Sequence, residues 1–574
     1  MPGRAPEPTA VFANADVVTM DERHPLAEAV AVRGGRILAV GDLEEVLAAA
    51  GRSAHVVDLG GLTLIPGFVD GHGHFTQVAS ELDWVDLAPP PAGNVSSIDD
   101  ILAALRRRLG RLAAEHKYVL GTGYDDSMLA ERRHPTKEDL DRVSTELPIW
   151  VVHASRHMAV GNSMALDQAG IAAATPDPQG GLQGSGIVRR SGSREPTGLL
   201  QEAAWAHVRL TCFPAIPEHR HSDLLRRTGG YYASLGITTA QDGATDVGGM
   251  KMLRAAAEGG TLPIDLVSYP LYQQAERLRA DAAPFSRGYR GRLRIGGLKI
   301  ILDGSPQGKS AWLTEPYLVP PPGEPASYGG VPLFADDEVY RMVAECFANG
   351  VQLLAHANGD AAAEQMIEAV ARAERRHGRD DRRSVMVHAQ TVREDQLDRM
   401  RAHGILPSFF STHCFYWGDW YVASVLGRER AYRISPARSA QRRGMRFSLH
   451  NDAPVVPPNI LFLIWSAVTR QSRSGEVIGT EQRLSPVEAL RAVTIDAAYQ
   501  HFEEATKGSI EVGKLADMAV LSANPLRVAQ AAIKDILVLA TLKEGALIYL
   551  LERERVPDAL ATVAAAAQPL TTDH

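Results

Sequence analysis

Cysteine is almost missing. Cys212, Cys346 and Cys414 lie far apart in 574 residues and form no CxxC pair. That excludes a disulfide framework and fits a reducing cytosol. Long apolar runs are absent too. The most apolar late stretch, 536–551, carries Lys543 and Glu544 mid-run, so it is not a membrane span. The opening residues, MPGRAPEPTAVFANADVVTM, hold no apolar core of signal-peptide length, and a cytoplasmic location is expected. There is no basic surplus. Net charge is -8 and the pI is about 6.2, which argues against a nucleic-acid partner. Lysine is scarce: nine of the 60 basic residues. A lysine inside an apolar strand therefore stands out.

What is there is an ordinary globular composition, 45% hydrophobic and 22% charged, with mean hydropathy -0.13. Disordered, collagen-like and coiled-coil chains are excluded. The length allows two to four domains, or a barrel with large insertions. Short β-type runs at 17–20, 29–32, 36–40 and 55–58 recur in texture at 518–521, 536–541 and 545–550. Neither end can bury a good core alone, so one small β domain from both termini is expected. Between them apolar strands alternate with helical patterns. Eight candidate strands fall at 67–74, 237–243, 264–271, 293–303, 351–356, 385–388, 405–410 and 445–451. Helical patterns follow at 337–349, 361–377 and 393–403. Eight such units predict an α/β chain: a (β/α)8 TIM barrel with a large insertion after its first strand. The expected boundaries are 1–66 and 505–556 for the β domain and 67–79 with 229–504 for the barrel. The insertion is expected at 80–228, with a frayed tail at 557–574.

The first candidate strand ends Phe68-Val69-Asp70-Gly71-His72-Gly73-His74. In a strand, residues i and i+2 share a face. His72 and His74 would then project together at the barrel end where active sites lie, as metal ligands do. Two more strands end in His356 and His388, and the last runs to Asp452. A single strand-end histidine is more often a satisfied core residue. Four histidines and an aspartate at the same end of four strands point to a metal. Lys299 lies in Leu298-Lys-Ile-Ile-Leu-Asp303. Burying an ammonium there without a partner is costly. Two readings are open. Lys299 pairs with Asp303, four residues on, or its neutral amine takes up CO2 and the carbamate oxygens bridge two ions.

With these residues the chain resembles a member of the amidohydrolase superfamily, in the branch called amidohydrolase family 3 or YtcJ-like. N-substituted formamide deformylase is that branch's best-defined activity. The resemblance rests on 64–74, Gly236-Ile-Thr-Thr-Ala-Gln-Asp-Gly243, Lys299-Ile-Ile-Leu-Asp-Gly-Ser305, His356-Ala-Asn-Gly-Asp360, His388-Ala-Gln390, Asn451-Asp-Ala-Pro454 and Gly513-Lys-Leu-Ala-Asp517. It implies two divalent ions, zinc by preference. His72, His74 and Asp452 would hold one, His356 and His388 the other, with carboxylated Lys299 bridging. Asp452 would be the catalytic proton carrier. The chain departs from the pattern at His450, where a small residue is usual, and in Phe409-Phe410-Ser411-Thr412-His413, where glutamine and proline are usual. By its parity with Asp452, His450 would contact substrate or hydrogen-bond Asp452.

Gly304-Ser-Pro-Gln-Gly-Lys-Ser310 is one residue short of a phosphate loop, and its proline removes a cradle amide. It reads better as a loop covering the site. Candidate substrate contacts are His157, Trp312, Phe409, His413, Trp417 and His450, with Phe410 and Tyr416 adding aromatic surface. The expected function is metal-dependent hydrolysis of a C–N amide-type bond in an N-substituted formamide or other N-acyl amine. Carbamate, lactam or ester hydrolysis at the same centre is the alternative. A non-catalytic metal-binding barrel is more remote, because a structural zinc usually takes four ligands and six candidates are present. The expected partner is a small amide-type molecule, with no nucleic acid and no membrane, and the expected assembly is a homodimer.

Overall fold

The computed structural model describes residues 9–116, 118–177, 186–212, 216–286, 288–321 and 323–551. The expected tail at 557–574 and most of the Gly-rich part of the insertion lie outside the described residues. Eight parallel strands follow one another in chain order: β1 (Phe68–Val69), β2 (Ile237–Thr245), β3 (Asp265–Pro270), β4 (Gly297–Ile301), β5 (Gln352–Ala357), β6 (Val385–His388), β7 (Leu406–Phe409) and β8 (Ser448–Leu449). Two hydrogen-bonded sheets carry them. The short strand Leu293–Ile295 flanks β3 in one sheet, and β4 opens the other. A parallel bridge, Leu271 to Lys299, joins the two. At the far ends Asp452 N donates to His72 O (3.2 Å) and His74 N donates to Ala453 O (2.8 Å).

These strands are apolar and buried on both faces, as parallel strands covered by helices are. The covering helices Asp336–Ala348, Asp360–His377 and Glu394–Ala402 match the helical periodicity of the sequence. Two expected strands shrink. The first stops at Val69 and the last at Leu449, because the chain turns there. The Asp70 carboxylate accepts from His72 N (3.3 Å), and Asp452 adopts φ 54°. His72 and His74 thus reach the site from a turn, not by strand alternation.

The insertion forms its own six-stranded sheet, including Val119–Tyr124 and Ile149–His153, over a core of Val85, Leu105, Tyr124 and Val151. The two termini share a second six-stranded sheet. In it Thr63–Pro66 pairs antiparallel with Met518–Leu521. A four-stranded sheet holding Thr9–Ala13 and Ala29–Arg33 shares a core with it through Phe12, Val30, Leu64, Met518, Val520 and Leu539. Among the described residues no helix is long and apolar enough to cross a membrane.

Candidate metal centre

Six side chains meet beyond the C-terminal ends of β1, β4, β5, β6 and β8. Asp452 Oδ1 lies 3.4 Å from His72 Nε2 and 3.1 Å from His74 Nε2. Asp452 Oδ2 is 4.0 Å from His388 Nε2. His388 Nε2 is 3.1 Å from His356 Nδ1, and Lys299 Nζ is 3.2 Å from His72 Nε2. The turn that delivers His72 needs glycine opposite it. A Cβ on Gly243 would sit 2.2 Å from His72 Cε1.

Neighbours decide which ring nitrogens carry hydrogen. Gln241 Nε2 donates to Gly71 O (3.0 Å), so its Oε1 faces His72 Nδ1 at 2.5 Å and can only accept. His72 therefore holds its proton on Nδ1 and presents a bare Nε2 to Asp452. His356 Nε2 lies 3.1 Å from Gly304 O and 3.4 Å from Asp303 Oδ1, two acceptors, and 3.1 Å from Asn358 Nδ2, whose hydrogen goes to Gly304 O (2.9 Å); a proton on Nε2 suits that set and leaves Nδ1 bare toward His388. Burial, aided by the charge of Lys299, keeps the His72 imidazole well below its usual range and takes His356 down to about 3. Both are neutral, as ligands must be.

Lys299 is buried, and among the described residues no carboxylate forms an ion pair with it. Asp303 is engaged elsewhere. It accepts from the backbone N–H groups of Asn358 (2.9 Å), Gly359 (2.7 Å) and Trp312 (3.0 Å). Of the two lysine readings, the Asp303 pair is thus absent. Burial brings the Lys299 ammonium down to about 7, against the pull of Asp452. Burial likewise raises the Asp303 carboxyl to about 7 despite its hydrogen bonds.

The remaining candidates divide. Phe409 packs outward on Phe447, while Phe410 turns inward against His388, His413 and His450. His413 stacks near Trp417, with ring centres 4.7 Å apart. Trp417 Nε1 donates to Asp125 Oδ2 in the insertion (3.3 Å). Trp312 is half-buried beside Asp303. His157 is near enough for its charge to bear on Asp303 and His356. His450 does not open onto the mouth: it is fully buried and bonds His388 Nδ1 at 3.0 Å. Lys309 caps Val319 O and Ser424 Oγ, as a loop residue and not a phosphate ligand.

Sequence reasoning gave no role to Gln241, Asn358, Ser408, Ser448 or Gln500. A glutamine inside an apolar strand was a signal of the same kind as Lys299. Gln500, at the end of the helix Ile495–Gln500, carried none. A second polar cluster, Asp125, Asp126 and His153, lies in the insertion. Ser155 N donates to His153 Nδ1 (3.0 Å), which puts the ring proton on Nε2, 3.1 Å from Asp126 Oδ1 but outside hydrogen-bond geometry.

A family model described as the amidohydrolase family matches residues 55–549. The chain belongs to the amidohydrolase family. It is a hydrolase by that membership. It is 30% identical to the N-substituted formamide deformylase of Arthrobacter pascens over 546 residues, 93% of this chain and 97% of that one. It is 28% identical to YtcJ of Bacillus subtilis (strain 168), named as an amidohydrolase, over 94% of this chain and 99% of that one. Its fold is like that of an uncharacterized metal-dependent hydrolase from Pyrococcus horikoshii OT3. There the TM-score is 0.72 at 21% identity, covering 91% of this chain and 99% of that one.

Proposed function

We propose that the chain hydrolyses a C–N amide-type bond, in an N-substituted formamide or another N-acyl amine, at a centre of two divalent ions on a closed (β/α)8 barrel. One observation carries the reading. Asp452 Oδ1 is buried with no hydrogen-bond partner and stands 3.4 Å from the unprotonated His72 Nε2, whose one donor is Lys299 Nζ at 3.2 Å. An orphaned buried acceptor is costly, and a cation beside it removes the cost. The residues fit divalent ions, and an imidazole and carboxylate donor set favours zinc. His72, His74 and Asp452 would hold one ion, and His356 and His388 the other. The backbone hydrogen bonds between the ends of β8 and β1 support barrel closure.

When bound, such ions polarise a carbonyl and bring the pKa of water near neutrality. The rest is done by the chain. The Lys299 amine, part neutral near pH 7, would take up CO2, its N–C bond forming as one proton leaves to water, and the carbamate would turn a cation into an anionic oxygen ligand. Asp452 would take a proton from the water that attacks the carbonyl and return it to the leaving nitrogen as the C–N bond breaks. The products are a free amine and a carboxylate, formate for a formamide. Phe410, His413 and Trp417 offer an aromatic wall for the nitrogen substituent. The test is a panel of N-acyl amines, carbamates and esters with metal-replete enzyme, reading formate and amine. N-Benzyl-type formamides should turn over better than small polar amides. Turnover of esters or carbamates with no amide cleaved would overturn the reading.

A further inference from the structure

His450 stands behind His388, and behind it runs a row of buried polar groups to which the chemistry above assigns no task. We propose that His450 is a positioning residue: a hydrogen-bonded chain from Gln500 through Ser448 and Ser408 to His450 fixes which nitrogen of His388 carries its proton, and so aims the bare Nε2 at the metal site. The proposal rests on the two-ion reading.

The direction of every bond follows from one end. Gly71 O can only accept, and Gln500 Nε2 donates to it (2.7 Å). Gln500 Oε1 must then face Ser448 Oγ (2.6 Å) as an acceptor, which commits the Ser448 hydrogen. Ser448 and Ser408 hydroxyls are 2.7 Å apart, and Ser448 is placed to donate across that gap as well as to Gln500; with its single hydrogen held by Gln500 Oε1, the hydrogen between the two serines comes from Ser408. With its own hydrogen used, Ser408 Oγ accepts from His450 Nδ1 (2.9 Å). A neutral imidazole has one N–H, so His450 Nε2 is bare and accepts from His388 Nδ1 (3.0 Å). His388 is left with a lone pair on Nε2, the nitrogen that faces His356 and Asp452.

The one branch point is Ser448, whose hydrogen could turn to Ser408, but that would leave Gln500 Oε1 facing a hydroxyl oxygen at 2.6 Å with no hydrogen between them. Ser408, Ser448, His450 and Gln500 are each at most 1% exposed, so water cannot exchange the partners. Burying four polar side chains in a barrel core is expensive unless all are bonded, and an apolar filling would be cheaper. The same Gly71 carbonyl also anchors Gln241, which fixes His72. One backbone oxygen thereby orients candidate ligands of both ions. Groups that orient a ligand imidazole in this way commonly change metal affinity by about 10–100-fold when removed.

The test uses metal-replete full-length protein, titrated with a competing chelator while bound metal is read by elemental analysis. It is paired with the visible spectrum of the cobalt(II) form and a thermal melt. His450→Phe keeps the bulk but offers His388 no acceptor. It should release an ion at roughly 10-fold lower chelator or less, with a changed cobalt spectrum. In His450→Gln the amide oxygen accepts from His388 and the amide N–H donates to Ser408. It should stay within about threefold of wild type. Wild-type retention in His450→Phe, or equal loss in the Phe and Gln variants, would overturn the proposal. Should the Phe variant not fold, Ser408→Ala frees the His450 tautomer and should also weaken retention; unchanged retention there overturns the lock. A wild-type protein without divalent ions would instead sink the two-ion reading itself, a distinguishable result.

Discussion

Asp452 and Lys299 carry opposite formal charges and meet the same imidazole, yet neither has an ordinary ion-pair partner of the other kind. Asp452 Oδ1 is orphaned and Lys299 is buried, 3.2 Å from His72. That pattern yields two expectations. Asp452→Asn keeps one oxygen ligand but cannot accept a proton, so kcat should fall by about 10²-fold or more with the fold unchanged by circular dichroism. Near-normal turnover would move the proton carrier elsewhere. Lys299→Ala should lose metal and activity together, and added acetate should restore part of both by standing in for the carbamate oxygens. Lys299→Arg should restore neither, because a guanidinium stays charged and adds no CO2. Full metal content in the arginine variant would leave Lys299 as a structural residue.

Elements explain which parts of the site could be read in advance. β5 and β6 carry their histidines at or one residue before the strand end, as expected, because each is a short, mostly apolar run. β1 and β8 could not be read so well. Their ligands sit past the strand ends, where Asp70 and the left-handed Asp452 turn the chain, and side-chain-driven turns leave no periodicity. Parity arguments failed for the same reason. Parity put His450 at the mouth, whereas β8 buries it behind His388; Phe409, a candidate contact, packs on Phe447 while Phe410 turns inward. Contacts such as Gly71 O to Gln500 join residues far apart in sequence, and no local pattern reports them. The element that most constrains the ligands is the β2 end at Gly243. Gly243→Ala places a Cβ where the His72 ring stands. Because that ring is hemmed by Gln241 and Lys299, it should tilt off the site. The expected result is loss of at least one ion by elemental analysis, with β2 still formed; a fully metallated alanine variant would show that the ring has room to move.

At the scale of the whole molecule, the small terminal unit was legible because β-type runs recur at both ends of the sequence, and each end alone is too short for a core. Its largely buried strands Thr9–Ala13 and Thr63–Pro66 were missed, since they lack polar alternation. What ties that unit to the parallel layer was not legible at all. Asp265 opens β3 at the end away from the metal site. Its Oδ2 takes Lys507 Nζ (2.5 Å) and Lys543 Nζ (2.7 Å), and its Oδ1 takes Arg292 (3.1 Å). Lys543, fully buried on the terminal sheet, also bonds Asp517 (2.6 Å). Burial pushes the Asp265 carboxyl up, but Lys507, then Lys543 and Arg292, override it and hold it well below the usual carboxylate range. A carboxyl whose folded pKa is depressed stabilises the fold above its unfolded pKa of about 3.9, and loses that contribution as pH falls through the folded value. Lys543→Met keeps the length and removes the charge. It takes the cation from Asp517 and leaves Asp265 with Lys507 and Arg292 only, which costs on the order of 3 kcal/mol at neutral pH. With one cation fewer beside it, Asp265 is protonated at higher pH in the variant than in wild type, which relieves part of that cost in acid. The gap in unfolding free energy should therefore be widest at neutral pH and narrow in acid, with bound metal unchanged because the site lies at the other end of the strands. A gap that stays constant from pH 7 down to about 3 would mean that Lys543 acts by packing and that the charge cluster does not hold the terminal sheet to the parallel strands.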